Sequence, residues 1–240
     1  MILFCGDSFT WGQGLEWEEL LREGYSVEQI NKLVPPQYAC ERLPIKYQDY
    51  RLKNHYPRLV AEYFNTGYDL SRQGNGGSNG DIYKTMRYFN HRMIGDNLDL
   101  LFMQFTHSGR HIPYDGDPYN PYDSNIESLF SDDIKQAVEH IQFFEQHFPN
   151  AKVVTLHWLP ETGILLEKEL GEKYVIKQSI DDNIYYGFEE WIDNYTYDEK
   201  YDIRDYHFTS EGHRIMADNV IKHIEDFDLL KKNTFYENLQ

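Results

Sequence analysis

The chain has 240 residues, with 23 Lys and Arg against 40 Asp and Glu, a formal net charge of −17. That length permits one or two domains and a core burying roughly 70–75% of the unfolded surface, so no disulfide or metal staple is needed. The acidic balance excludes a protein that holds nucleic acid or an anionic membrane by bulk electrostatics, and 16% aromatic residues argues against disorder.

The opening apolar run Ile2-Leu3-Phe4-Cys5 is predicted as a buried strand. It has no basic flank and stops at Gly6-Asp7, which is too short for a signal peptide. Residues 16–54 are acidic, then aromatic, and carry Pro35-Pro36; they read as an inserted helical or irregular segment. A helix is predicted over 56–64, with Pro57 in its first turn, and a short strand at Tyr68-Asp69-Leu70. A second helix is expected over 78–93, opened by a Ser78 cap. The run Leu100-Leu101-Phe102-Met103-Gln104-Phe105 reads as a central strand, and Val153-Val154-Thr155-Leu156 within 152–156 as another. Between them, 132–148 is apolar at Ile134, Val138, Ile141 and Phe144, near helical spacing. A second insertion, 159–200, holds Gly163, Gly171 and Gly187 among acidic and aromatic residues. The last helix covers 210–227, with Ile215, Met216, Val220 and Ile224 on one side. Alternation of this kind implies α/β: a three-layer α/β/α sandwich with a mostly parallel sheet, formed by one domain over 1–240. Both insertions are lid candidates, since long insertions in such folds tend to lie near sites, and surface decoration is the equal alternative.

The chemistry gathers at the two extremities. Strand one runs directly into Gly6-Asp7-Ser8. A serine just past the carboxyl end of a parallel strand lies where α/β sheets place ligands. Gly6 would permit the tight turn, and helix-start N–H groups near Ser8 would face a developing oxyanion. By itself the tripeptide is equally a helix cap. At the other end, Asp205-Tyr206-His207 stands in a loop before the last helix. An imidazole serves as general base to a serine when a carboxylate fixes its tautomer.

With these motifs in place, the chain resembles the SGNH (GDSL) hydrolases over nearly its whole length. The resemblance implies a flavodoxin-like SGNH fold and a serine esterase in which Ser8 is the nucleophile, His207 the base and Asp205 the orienting acid. Its second block falls on Gln73-Gly74-Asn75-Gly76-Gly77-Ser78-Asn79, where the N–H of Gly76, with Gly77 as the alternative, would be an oxyanion donor. Two departures stand out. The family's Gly-x-Asn-Asp block is replaced by Thr106-His107-Ser108-Gly109-Arg110, which places Ser108 on the Asn position, with Thr106 or His107 reached by a small shift. Losing one oxyanion donor typically costs about 3 kcal/mol of transition-state stabilisation, and Asn79, Ser108 or Arg110 would be the replacement. The acid also stands two residues before the base, where the family has three; Asp202, five before, is the poorer choice.

The expected reaction is hydrolysis of a small acyl ester, an O-acetyl group on a carbohydrate or polar metabolite, through an acyl-Ser8 intermediate. An acyltransferase using the same intermediate and a degenerate domain that binds acylated glycan are the alternatives. No cofactor is implied. His107 and His111 lack metal-ligand spacing, and Asp115-Gly116-Asp117 with Asp123 lacks the full calcium-loop pattern, so no metal site is expected. Trp11, Trp17 and Trp158 are candidates for stacking on a sugar, against the commoner fate of core packing. Buried Cys5 is expected to be inert, and His213 to be a packed or surface histidine. With Cys40 the sole other cysteine, no disulfide framework is available, and the expected location is cytoplasmic. The partners expected are the ester substrate, and neither nucleic acid nor membrane.

Overall fold

A computed structural model describes residues 1–33, 43–70, 97–106 and 126–232, with the side chains of 126–132 left aside. Four strands form one parallel sheet: β1 (Ile2–Cys5), β2 (Tyr68–Leu70), β3 (Leu100–Phe105) and β4 (Lys152–His157). Their order is β2-β1-β3-β4, the arrangement of flavodoxin-like sheets. Register follows directly from the apolar runs: Ile2 lies beside Tyr68 and Leu100, and Leu100 beside Lys152.

Side chains alternate faces along a strand, and here each face meets its own helices. Ile2, Phe4, Leu100, Phe102, Val154 and Leu156 pack with Tyr56 and Val60 of one helix and Met216, Ala217, Val220 and Ile224 of another. Those helices are the Tyr56–Tyr63 and Ser210–Asp226 elements. On the opposite face Leu3, Cys5, Leu101, Met103, Phe105 and Val153 meet Ile134, Ala137, Ile141 and Phe144 of the Ile126–His147 helix, with Leu166 from Pro160–Leu170. Both faces are covered, so β1 and most of β3 and β4 read as apolar runs instead of alternating with polar residues. The expected three-layer sandwich is what forms. The helix expected over 78–93 lies outside the described residues. Among the described residues no helix is long and apolar enough to cross a membrane.

The described part of the first insertion forms three helices, Leu15–Arg22, Val27–Asn31 and Ile45–Asn54. Its buried Trp17, Leu20, Ile30 and Tyr47 close on Tyr197 and Ile203, far along the chain. The second insertion carries the Pro160–Leu170 helix, an antiparallel hairpin of Gln178–Ile180 with Asn183–Tyr185, and the short Tyr197–Tyr201 helix. It contributes Phe188, Trp191 and Ile192 to the main core, so it is part of the sandwich's interior and not surface decoration. Phe102 sits at the centre of the packed sheet, fully buried and 5.0 Å from the Phe4 ring. Phe102→Ala should lower the unfolding free energy by about 3–5 kcal/mol, measured by urea denaturation.

Candidate active site

The site lies at the carboxyl ends of β1 and β3, the point where the strand order reverses. Helix Ser8–Trp11 starts one residue after Asp7, which caps it: the Asp7 carboxylate accepts the Phe9 N–H at 3.0 Å. The capping reading therefore belongs to Asp7, and Ser8 is the first helical residue. The amide of a first helical residue has no acceptor within its own helix, so it can be turned toward a ligand.

A polar network fixes this turn from beneath. Gln104, the one polar side chain of β3 and fully buried, donates from Nε2 to Asp7 Oδ1 at 2.6 Å. Its carbonyl oxygen takes the Thr10 hydroxyl proton, and Thr10 Oγ1 lies 2.7 Å from Tyr56 Oη. The need for glycine at position 6 is one of space and not of a left-handed φ. A Cβ there would stand 2.7 Å from Thr10 Cβ and 3.0 Å from Gln104 Cβ, and Gly6 is not among the positive-φ residues.

Ser8 and His207, 199 residues apart, meet here: Ser8 Oγ lies 2.7 Å from His207 Nε2. On the far side of the ring, His207 Nδ1 is hydrogen-bonded to Asp205 Oδ1. Because the acid accepts at Nδ1, that nitrogen carries the proton and Nε2 presents its lone pair to the serine hydroxyl. The shortened two-residue spacing thus still brings the carboxylate beside the imidazole. Asp205 is nearly buried, and burial alone would raise its pKa. The charge of His207, with hydrogen bonds from His207 and Trp17, outweighs burial and holds the carboxyl below its ordinary range.

The imidazole rests on aromatic rings. Phe9 lies 4.7 Å from it, and Phe9 in turn touches Trp158, Phe188 and Phe208 at 5.1–5.2 Å. Trp158 and the exposed Tyr206, 6.2 Å apart, form an aromatic rim next to His207. Of the three tryptophans considered for sugar stacking, two are committed elsewhere. Trp17 is buried with its N–H on Asp205, and the Trp11 ring carries the Arg51 guanidinium 3.2 Å from its centroid. Arg51 pairs at 3.2 Å with Glu16, a carboxylate with no exposure at all. Burial pushes the Glu16 pKa up, and Arg51 offsets part of that. The expected oxyanion donors Gly76, Asn79 and Ser108, with Gly77 and Arg110, lie outside the described residues, as do His107, His111, Cys40 and the Asp115–Asp123 loop. Among the described residues there is no cluster of three or more His, Cys, Asp or Glu that could hold a metal ion.

Sequence reasoning missed Gln104, Thr10, Tyr56 and Trp17. A polar residue interrupting an apolar strand was the available signal for Gln104; Trp17 had none that pointed at Asp205.

Three other histidines are held neutral. His213, packed in the last helix as expected, accepts the Tyr56 N–H at Nδ1, 3.3 Å away, and burial, with the nearby His55 and His207, pushes its pKa well down. His55 is driven to about 3 by burial and then by the Arg51 charge. His157 is likewise driven to about 3 by burial; its Nε2 bonds Thr155 Oγ1, whose own proton goes to the Tyr174 carbonyl. The folded state of such a histidine binds fewer protons than the unfolded state, so its stabilising effect is whole above the unfolded pKa of about 6.5. It drains as pH falls toward the folded value, by about 1.4 kcal/mol per pH unit for each histidine. The urea midpoint should therefore fall steeply between pH 6.5 and 5, a window above the ordinary carboxylate range; a flat midpoint there would contradict these neutral assignments.

No protein-family model matches the chain, and no curated protein matches it in sequence. Among solved structures it is similar to a carbohydrate esterase whose active site displays divergent catalytic and non-catalytic binding functions. That likeness has 11% identity and a TM-score of 0.51, covering 93% of this chain and 67% of the other. It is also similar to the acetyl xylan esterase Est2A from the rumen bacterium Butyrivibrio proteoclasticus, at 13% identity and a TM-score of 0.56. There 96% of this chain is covered and 64% of the esterase, so the chain spans about two thirds of the length of these structures. At such identities the likeness is one of fold alone.

Proposed function

We propose that this chain is a serine hydrolase that removes a small acyl group, an O-acetyl, from a carbohydrate ester. The observation that carries this reading is the contact of Ser8 Oγ with His207 Nε2 at 2.7 Å while Asp205 occupies Nδ1. A serine is a weak nucleophile until a positioned base takes its proton, and this geometry supplies the base in the correct tautomer. His207 draws the Ser8 proton as Oγ attacks the ester carbonyl. The ionised Asp205 stabilises the imidazolium that forms. The Ser8 amide at the helix start faces the developing oxyanion, with Gly76, Asn79 and Ser108 proposed as further donors. His207 then protonates the departing sugar hydroxyl, and water, activated by the same imidazole, releases the acid from Ser8. Side chains and water complete this sequence without a cofactor.

Carbohydrate is the favoured alcohol on two grounds. The Trp158–Tyr206 pair offers aromatic rings close to the base, Tyr206 as its chain neighbour and Trp158 through Phe9, and such rings suit the C–H face of a sugar. Both fold neighbours are esterases of carbohydrate, one of them of acetyl xylan.

With p-nitrophenyl acetate and with acetylated xylo-oligosaccharides, Ser8→Ala and His207→Ala should each lower kcat/KM by about a thousandfold or more. Equal turnover by the native protein and Ser8→Ala would remove Ser8 from the chemistry. Adding an unacetylated sugar acceptor separates the readings further: acetylated acceptor in place of free acetate marks an acyltransferase. Glycan retention without turnover or fluorophosphonate labelling of Ser8 marks a binding domain.

A further inference from the structure

Asp205 has two carboxylate oxygens, and His207 uses one of them. The other, Oδ2, sits on a side chain only 4% exposed, where an ionised oxygen left without a donor would be costly. Its donor comes from the far end of the chain: the Trp17 indole N–H reaches it at 2.5 Å, across 188 residues. Trp17 is itself 1% exposed and rigidly seated among Leu20, Ile30, Tyr47, Tyr197 and Ile203. The helix that carries it begins at Gly14, whose φ of +94° and missing Cβ allow the backbone to approach the acid. A Cβ there would stand 3.1 Å from Asp205 Oδ2 and 2.9 Å from Tyr197 Cε2.

Two further side chains of the same insertion grip the same loop. Glu18, on the next position of that helix, accepts the Ser210 N–H at 2.7 Å. Asn31 accepts the Arg204 N–H at 2.7 Å and donates to the Asp202 carbonyl at 2.9 Å. These bonds bracket residues 202–210 on both sides of the acid and base.

We infer that Trp17 is a positioning residue for the hydrolase chemistry: its indole N–H locks the Asp205 carboxylate in the orientation that holds the His207 tautomer, with Asn31 and Glu18 fixing the loop around it. The first insertion thus acts as a brace behind the acid instead of a lid over the substrate. The inference rests on the serine-hydrolase reading above. Without the indole the carboxylate keeps only its bonds from His207, ring and backbone, and its second oxygen loses the partner that lies outside its own loop. Held at both oxygens, it cannot turn without breaking the second bond.

Trp17→Phe keeps an aromatic ring in the pocket and deletes the N–H. It should lower kcat by about tenfold or more with KM changed less than about twofold. In an Asp205→Ala background the same substitution should change kcat by less than about twofold, since the group it positions is gone. Equal losses in both backgrounds, or no loss in the native one, would overturn the inference, because a packing role does not depend on the carboxylate. If Trp17→Phe does not fold, Asn31→Ala takes its place in the same cycle: a loss confined to the native background supports the brace, and equal losses overturn it. A second readout is independent of turnover. The downfield proton resonance of His207 Nδ1–H should shift or broaden in Trp17→Phe, and an unchanged resonance would count against the inference. Should Ser8→Ala show that the chain is no hydrolase, that resonance still judges whether Trp17 fixes the Asp205–His207 pair.

Discussion

The hardest constraint in this molecule is the placement of a loop that the sheet does not hold. Ser8 follows β1 by three residues, and β1 is paired on both sides in the centre of the sheet. His207 belongs to no strand of that sheet, so its position depends on what surrounds the 202–210 segment. Backbone bonds from the second insertion hold it on one side, Tyr197 N–H to the His207 carbonyl at 3.2 Å and Thr209 N–H to the Tyr195 carbonyl at 2.8 Å. Side chains of the first insertion hold it on the other, through Trp17, Glu18 and Asn31. Both insertions are therefore structural requirements of the proposed chemistry: a shift of about 1 Å is enough to degrade proton transfer within a near-attack geometry.

The nucleophile turn is stabilised by a different logic. Deep in an apolar sheet, Gln104 would cost stability if its amide were unpaired. Both ends of the amide are engaged, the nitrogen donating to Asp7 and the oxygen accepting from Thr10. The network makes the conformation of the turn a property of the core, so that Ser8 is presented by a preorganised element whose reorganisation cost is met during folding. Gly6 belongs to the same arrangement, because the space a Cβ would take is occupied by Thr10 and Gln104.

Much of this was legible in the amino-acid sequence. The four strands coincide with the apolar runs expected for buried parallel strands, β4 extending one residue further to His157. The helices packed on the sheet follow their apolar spacing. The meeting of Ser8, Asp205 and His207 was readable from two short motifs, since turn and loop chemistry is written locally. What held them was not. Trp17 and Asp205 are separated by 188 residues and Gln104 and Asp7 by 97, and neither pair leaves a local pattern. The Gln178–Ile180 hairpin escaped for another reason. Its turn is made by Asp181 and Asp182, with φ of 47° and 65°, a left-handed pair of the kind that suits tight hairpins but is usually announced by Asn-Gly or Asp-Gly. The first insertion, a lid candidate or surface decoration from its length and composition, packs against the segment before His207, because Trp17 and Ile30 are apolar enough to demand burial there.

The histidines show how one protein assigns different tasks to the same side chain. His55, His157 and His213 are buried, and desolvation suppresses their charged form. His213 accepts a backbone proton, and His157 gives one to a threonine, so each is a fixed hydrogen-bonding piece of the core. His207 is only partly exposed as well, yet it faces the Asp205 carboxylate at one nitrogen and a serine hydroxyl at the other. The difference lies in the partners: the buried three meet hydroxyls, a backbone N–H and, at His55, an arginine charge, whereas His207 is backed by a fixed carboxylate. Trp17 belongs to this distinction, for it holds the second oxygen of the carboxylate that faces the His207 ring. In the proposed mechanism the serine draws its reactivity from a chain of contacts that starts in the first insertion, passes through a buried acid and ends at the helix start beside β1.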